Sequence, residues 1–120
     1  MKKEVIFYDG YAMGLPEDCP VELLENNKGK IGGRIVIKIP EYRILSFWDK
    51  VEQIGVWNWN KKYPIKKSKL EPILDGYGWE LKLRDRNGRA KYCTGYESYP
   101  RKFKDLIKEL NNLFGSDIRI

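Results

Sequence analysis

Asp75-Gly76-Tyr77-Gly78-Trp79-Glu80-Leu81-Lys82-Leu83 opens a stretch that continues through Asn87-Gly88 to Gly95-Tyr96-Glu97-Ser98-Tyr99-Pro100. Asn-Gly accepts the positive φ of a tight turn whose twist matches the strands on either side, so this stretch predicts a β-hairpin closed by a two-residue turn. Pairing across Asn87-Gly88 sets Arg86 opposite Arg89, Leu83 opposite Tyr92, Leu81 opposite Thr94 and Trp79 opposite Tyr96. One face is then apolar and aromatic. The other carries Glu80, Lys82, Arg84, Lys91 and Cys93 and reads as a cationic exterior in contact with water. Asp75-Gly76 turns the chain into the hairpin, and Tyr99-Pro100 sets the entry to the next element.

That element is a helix. Phe103, Leu106, Ile107, Leu110, Leu113 and Phe114 recur at helical spacing, which gathers them on one face that packs on the sheet. Working back toward the N-terminus, Ile44, Phe47, Trp48, Val51 and Ile54 recur in the same way after Pro40 and before Gly55, predicting a first helix over 41–55. Ser46, with Asp49 three residues on, is a rival start. Between this helix and the hairpin, residues 56–69 carry Trp57 and Trp59 and then Lys61, Lys62, Lys66, Lys67 and Lys69 around Pro64, an irregular basic connector. Residues 4–8 are rich in β-branched and aromatic side chains and predict a strand ended by a turn at Asp9-Gly10. Gly14, Pro16 and Pro20 make 11–20 a loop, and residues 21–25 and 34–39 read as two strands joined around Asn26-Asn27-Lys28-Gly29. In the second of these, Ile35, Ile37 and Ile39 share a face. The sum is a single α+β domain over 1–120: a small antiparallel sheet of two hairpins packed by two helices, the second C-terminal.

Composition agrees with one globular unit, since 120 residues can bury a core without metal or disulfide staples. Four Trp, eight Tyr and four Phe must be housed in that core or on a binding surface. The net charge is +6 and there is no histidine, which removes the commonest general base and the commonest metal ligand. Cys19 and Cys93 match no zinc spacing and read as reduced, buried thiols. The N-terminal apolar run stops after four residues, too short for a signal peptide or membrane span, so a cytoplasmic protein without a membrane role is expected.

The pattern F-W-x-K-V-x-x-I-G-V-W-N-W over 47–59, D-G-Y-G-W-E-L-K-L over 75–83 and G-Y-E-S-Y-P over 95–100 resembles a group of small bacterial proteins of uncharacterised function. These carry a W-x-W pair, a D-G-x-x-W strand and a G-x-x-x-Y-P entry to a last helix. The resemblance covers about 40–114, implies the fold of that part, and brings no catalytic residue with it.

Three functional readings follow from the residues. The leading one is a non-enzymatic protein-interaction module, of inhibitor or immunity type, meeting an acidic partner surface through cations and aromatic anchors. Its candidate binding residues are Trp57, Trp59, Lys61, Lys62, Lys66, Lys67, Lys82, Arg84, Lys91, Tyr96 and Tyr99. The second reading is nucleic-acid binding by the same cations and rings, with Glu71, Asp75, Glu80, Asp85 and Glu97 interrupting the basic patch. The third is a metal-dependent nuclease in which Asp75 and Glu80 hold the ion and Lys82 orients water, although Glu80 and Lys82 also simply suit the outer face of an amphipathic strand. Cys93 lacks an imidazole to activate it, and no phosphate-binding glycine loop occurs. No catalytic residue, metal ligand or cofactor is assigned.

Overall fold

A computed structural model describes residues 3–12, 20–63 and 77–119. In chain order these form β1 (Val5–Ala12), β2 (Val21–Leu24), β3 (Lys28–Ile31), β4 (Ile35–Lys38), α1 (Glu41–Ile54), β5 (Lys62–Tyr63), β6 (Tyr77–Arg84), β7 (Ala90–Tyr96) and α2 (Phe103–Phe114), with 3₁₀ turns at Glu25–Asn27 and Val56–Asn58. The strands make one seven-stranded sheet in the order β4-β3-β2-β1-β6-β7-β5, antiparallel except where β5 runs parallel to β7. The α+β class and the C-terminal second helix are as the periodicities predict, but the sheet is larger than two hairpins.

Three differences have physical causes. First, β1 does not end at Asp9-Gly10 but continues to Ala12, with Gly10 opposite Trp79. A side chain on Gly10 would run into the Tyr77 hydroxyl, so this glycine serves a close approach and not a turn. Second, residues 28–31 are a strand, entered after Asn26 and Asn27 take left-handed backbone angles and left through Gly32-Gly33. Third, the β6–β7 register is one residue away from the two-residue turn. Leu83 lies opposite Lys91, Leu81 opposite Cys93 and Trp79 opposite Gly95. The connection is longer because Asp85 organises it: its carboxylate accepts the N–H groups of Asn87 at 3.0 Å and Arg89 at 2.9 Å, while Gly88 takes φ +90°.

A one-residue slip reverses every side chain of one strand. On β6 the expected face holds: Trp79, Leu81 and Leu83 are fully buried, while Lys82 is exposed and Arg84 half-buried. On β7 it is inverted. Cys93 is buried and Lys91 turns to the inner side, whereas Tyr92, Thr94 and Tyr96 point outward.

Both helices cover the inner face. α1 follows Pro40, which caps the helix instead of occupying its first turn, and ends at Gly55; Ser46 lies within it. It contributes Ile44, Phe47 and Val51 to the core, and α2 contributes the six residues that its spacing singles out. Each such burial stabilises by roughly 2 kcal/mol. Phe103 at the start of α2 meets Tyr8, Trp59 and Trp79, so the helix docks where β1 and β6 run together. Ile35 and Ile37 of β4 and Ile39 just beyond it share the inner face, but burial fades from Ile39 through Ile37 to exposed Ile35. Among the described residues no helix is long and apolar enough to cross a membrane.

Candidate functional surface

The opposite face of the sheet is covered by no helix among the described residues. Ladder pairing arranges it in rows that run across the strands. One row places Lys62 beside Thr94, Glu80 and Asp9. The next places Tyr92 beside Lys82, Phe7 and Glu22. A third places Tyr96 beside Gly78 and Tyr11, and the Tyr11 ring lies over Gly78, which lacks the side chain it would strike. Cations and rings are interlocked on this face. The Lys82 ammonium sits 5.4 Å from the Phe7 ring and 3.2 Å from a Glu80 carboxylate oxygen. Arg84 donates to the Tyr92 hydroxyl at 2.7 Å. Tyr11 and Tyr92 remain about half exposed, at 47% and 48%.

Of the residues expected to bind, Lys62, Lys82, Arg84 and Tyr96 come together on this face. Lys61 is exposed at its margin, and its carbonyl accepts the Thr94 N–H at 2.9 Å, which fastens β5 to β7. Lys66 and Lys67 lie outside the described residues, as do Asp75 and Cys19. Lys91 belongs elsewhere: from the inner side its ammonium donates to the Trp59 carbonyl at 2.8 Å and pins the 3₁₀ turn to the sheet. Tyr99 packs on Phe103 and Tyr77 beside a cleft of about 390 Å³ lined also by Pro100, Lys102 and Lys104.

The tryptophans are mostly structural. Trp59 is 8% exposed and packs on Phe103, which corrects its reading as a surface anchor. Trp57 is half-buried, stacked on Trp48 and covered by the Arg89 guanidinium at 4.7 Å. Trp48 donates to Glu4 at 2.6 Å, and Arg86 bridges Glu4 and Glu41. These contacts hold the hairpin tip against α1. Hydrogen bonding to Glu41 raises the Arg86 pKa, and bonding to Glu52 and then Asp85 raises that of Arg89, so both tip arginines are fixed cations with carboxylate partners.

The sequence reading missed Phe7, Tyr11 and Tyr92 as surface residues. Their only signal is parity within their strands, and parity is readable only once the register is known. As to catalysis, Glu80 and Lys82 pair with each other, and no group of three Cys, Asp or Glu residues gathers to hold a metal among the described residues. Burial pushes the Cys93 thiol up to about 11, with the Lys91 charge opposing, so it is protonated at neutral pH. No family model, curated protein or solved structure matches the chain.

Proposed function

We propose that the chain is a non-enzymatic protein-interaction module, of inhibitor or immunity type, which presents the helix-free face of its sheet to an acidic partner surface. One observation carries this reading: Lys62, Lys82 and Arg84 share that face with Tyr92, Tyr96 and Tyr11, while the inner face is spent on the core. Tyrosines of this kind add contact area at low entropic cost, and the cations steer an acidic partner into place. Arg84 and Tyr92 already hold each other, which fixes part of the surface before the partner arrives.

Capture of partners from native extract by the wild type, by a Lys62→Glu, Lys82→Glu double variant and by a Lys108→Glu control on α2 tests the reading. Partners retained by the wild type and the control but lost by the double variant support it. Equal recovery by all three overturns it.

A second reading draws on the same rings. Exposed Tyr11 and Tyr92 interleaved with Lys82 and Arg84 on an open sheet suit stacked bases and phosphates of a single strand. Binding of a generic oligonucleotide that falls steeply with salt favours it. No binding at low salt removes it.

A further inference from the structure

Among the described residues the sheet ends at β4, four strand steps of about 4.8 Å each from β6, which carries Lys82 and Arg84. Among the described residues β4 has β3 on one side and no strand on the other. The Ile39 N–H donates to the Asn27 carbonyl at 2.8 Å, which fixes the phase of the antiparallel ladder. Residues 35, 37 and 39 therefore bond to β3, and the N–H and C=O groups of Val36 and Lys38 point away from the sheet. Edges of this kind are normally blunted by charge or proline because an extended chain can add to them. Here Lys38 is the strand's single charge, Ile35 and Val36 are 58% and 52% exposed, and Pro40 follows only after the strand has ended.

The side chains around this edge select what can add. Residues 28–40 contain no Asp or Glu, and Arg34 and Lys38 bracket the edge while Lys28 and Lys30 lie behind it on β3. A second copy is a poor occupant. A two-fold pairing centred on Val36 would set Arg34 of each chain against Lys38 of the other, and like charges directly opposite repel. An acidic strand has the complementary pattern. Side chains opposite Arg34 and Lys38 would be carboxylates, those opposite Ile35 and Ile37 would be apolar, and the one facing Val36 is unconstrained.

We propose that β4 is a strand-addition edge that takes an extended acidic segment of a partner protein, in the pattern acid, apolar, any, apolar, acid, antiparallel to residues 34–38. Main-chain bonds to Val36 and Lys38 would supply affinity and the two flanking cations would supply selectivity. This edge is separate from the sheet face proposed above, and either can fail without the other.

The test uses the full chain and three capped peptides: Glu-Val-Thr-Val-Glu, Lys-Val-Thr-Val-Lys, and the acidic peptide N-methylated at threonine, which removes the donor that would face Val36. The acidic peptide is expected to bind at least about tenfold more tightly than either of the others. It should also slow hydrogen exchange at the Val36 and Lys38 amides. Lys38→Glu leaves Arg34 in place and should abolish the preference between acidic and basic peptides, and Lys62→Glu, Lys82→Glu should bind as the wild type does. No binding at millimolar peptide, equal affinity for the N-methylated peptide, or protection on β6 and β7 instead of β4 would each overturn the proposal. So would a concentration-dependent dimer of the wild type that protects the Val36 and Lys38 amides. Because two of the peptides differ only in one methyl group on the ligand, that comparison does not depend on any variant folding.

Discussion

The indole of Trp79 occupies the space that a side chain on Gly95 would need. A β-carbon there would come within 2.2 Å of the indole Nε1, which donates to the Ser98 carbonyl at 2.9 Å. The bare backbone of β7 thus forms part of the wall that holds the largest buried side chain of the core. Gly95→Ala is expected to destabilise by about 2 kcal/mol, because the ring it would displace is fully buried and packs against Phe103 and Tyr63. Urea unfolding followed by tryptophan fluorescence measures this; an unchanged midpoint would contradict the packing described.

Asp85 is the buried carboxylate at the hairpin tip, bonded to two backbone N–H groups and to the Arg89 guanidinium at 3.0 Å. Asp85→Ala leaves those two donors without their acceptor and should cost about 2 kcal/mol. Amide exchange at Asn87 and Arg89 should accelerate more than exchange in α2. A uniform acceleration would mean that Asp85 acts on global stability alone.

The two tryptophans of the W-x-W pair should behave differently. Trp59→Ala opens a cavity beside Phe103 and should destabilise by about 3 kcal/mol. Trp57→Ala removes the Arg89 contact and the stack on Trp48 and should cost about 1 kcal/mol. Thermal denaturation of the two single variants checks the order, and equal losses would contradict it.

Much of the fold was legible in the chain, and the exceptions share a cause. Both helices follow from apolar spacing, and α1 stops at Gly55 as its sequence predicts. The inward face of β6 was legible because Trp79, Leu81 and Leu83 alternate cleanly with charged residues. Strand β3 was not, because Lys28-Gly29-Lys30-Ile31 has almost no apolar alternation; Gly29 is buried against Ile39 and Phe114, a role that leaves no mark on hydropathy. The register of β7 was lost through Asp85, whose side chain turns an Asn-Gly pair into part of a longer connection. On the candidate surface, Lys62, Lys82, Arg84 and Tyr96 are legible from their residue types alone. Tyr92 and Lys91 exchanged sides because that single step of register decides where each points.

Stability should depend on alkaline pH in a defined direction. The Tyr8 hydroxyl lies 2.6 Å from that of Tyr77, and burial raises the pKa of Tyr8, of Tyr77 and of Tyr99 above the ordinary 10.0. Above that value the unfolded chain loses protons that the folded chain retains, so stability falls as pH rises. The urea midpoint should be level from neutrality to about pH 9 and drop beyond about pH 10. Tyr8→Phe should be less stable at neutral pH but show a shallower alkaline fall. A profile as steep as that of the wild type would remove Tyr8 as its source.

Cys93 should be chemically silent in the folded protein. In a Cys19→Ser background, reaction with a disulfide reagent at neutral pH is expected to be at least about a hundredfold slower than in urea, because the thiol is both protonated and enclosed. Rapid native labelling would show that β7 opens readily.

The pairing of β1 with β6 joins Val5 to Arg84 and continues through Ala12 and Tyr77, the longest ladder in the sheet. During translation, β1 leaves the ribosome long before its partner has been made. Strands β2 to β4 can close as local hairpins in that interval, and β2 sets Val21 opposite Tyr8, but the other edge of β1 stays open until β6 is made and Tyr8 meets Phe103 only when α2 appears. Assembly of this ladder is therefore postponed until β6 has emerged, and a nascent chain arrested before β6 would display the open edge of its first strand to chaperones or to other chains.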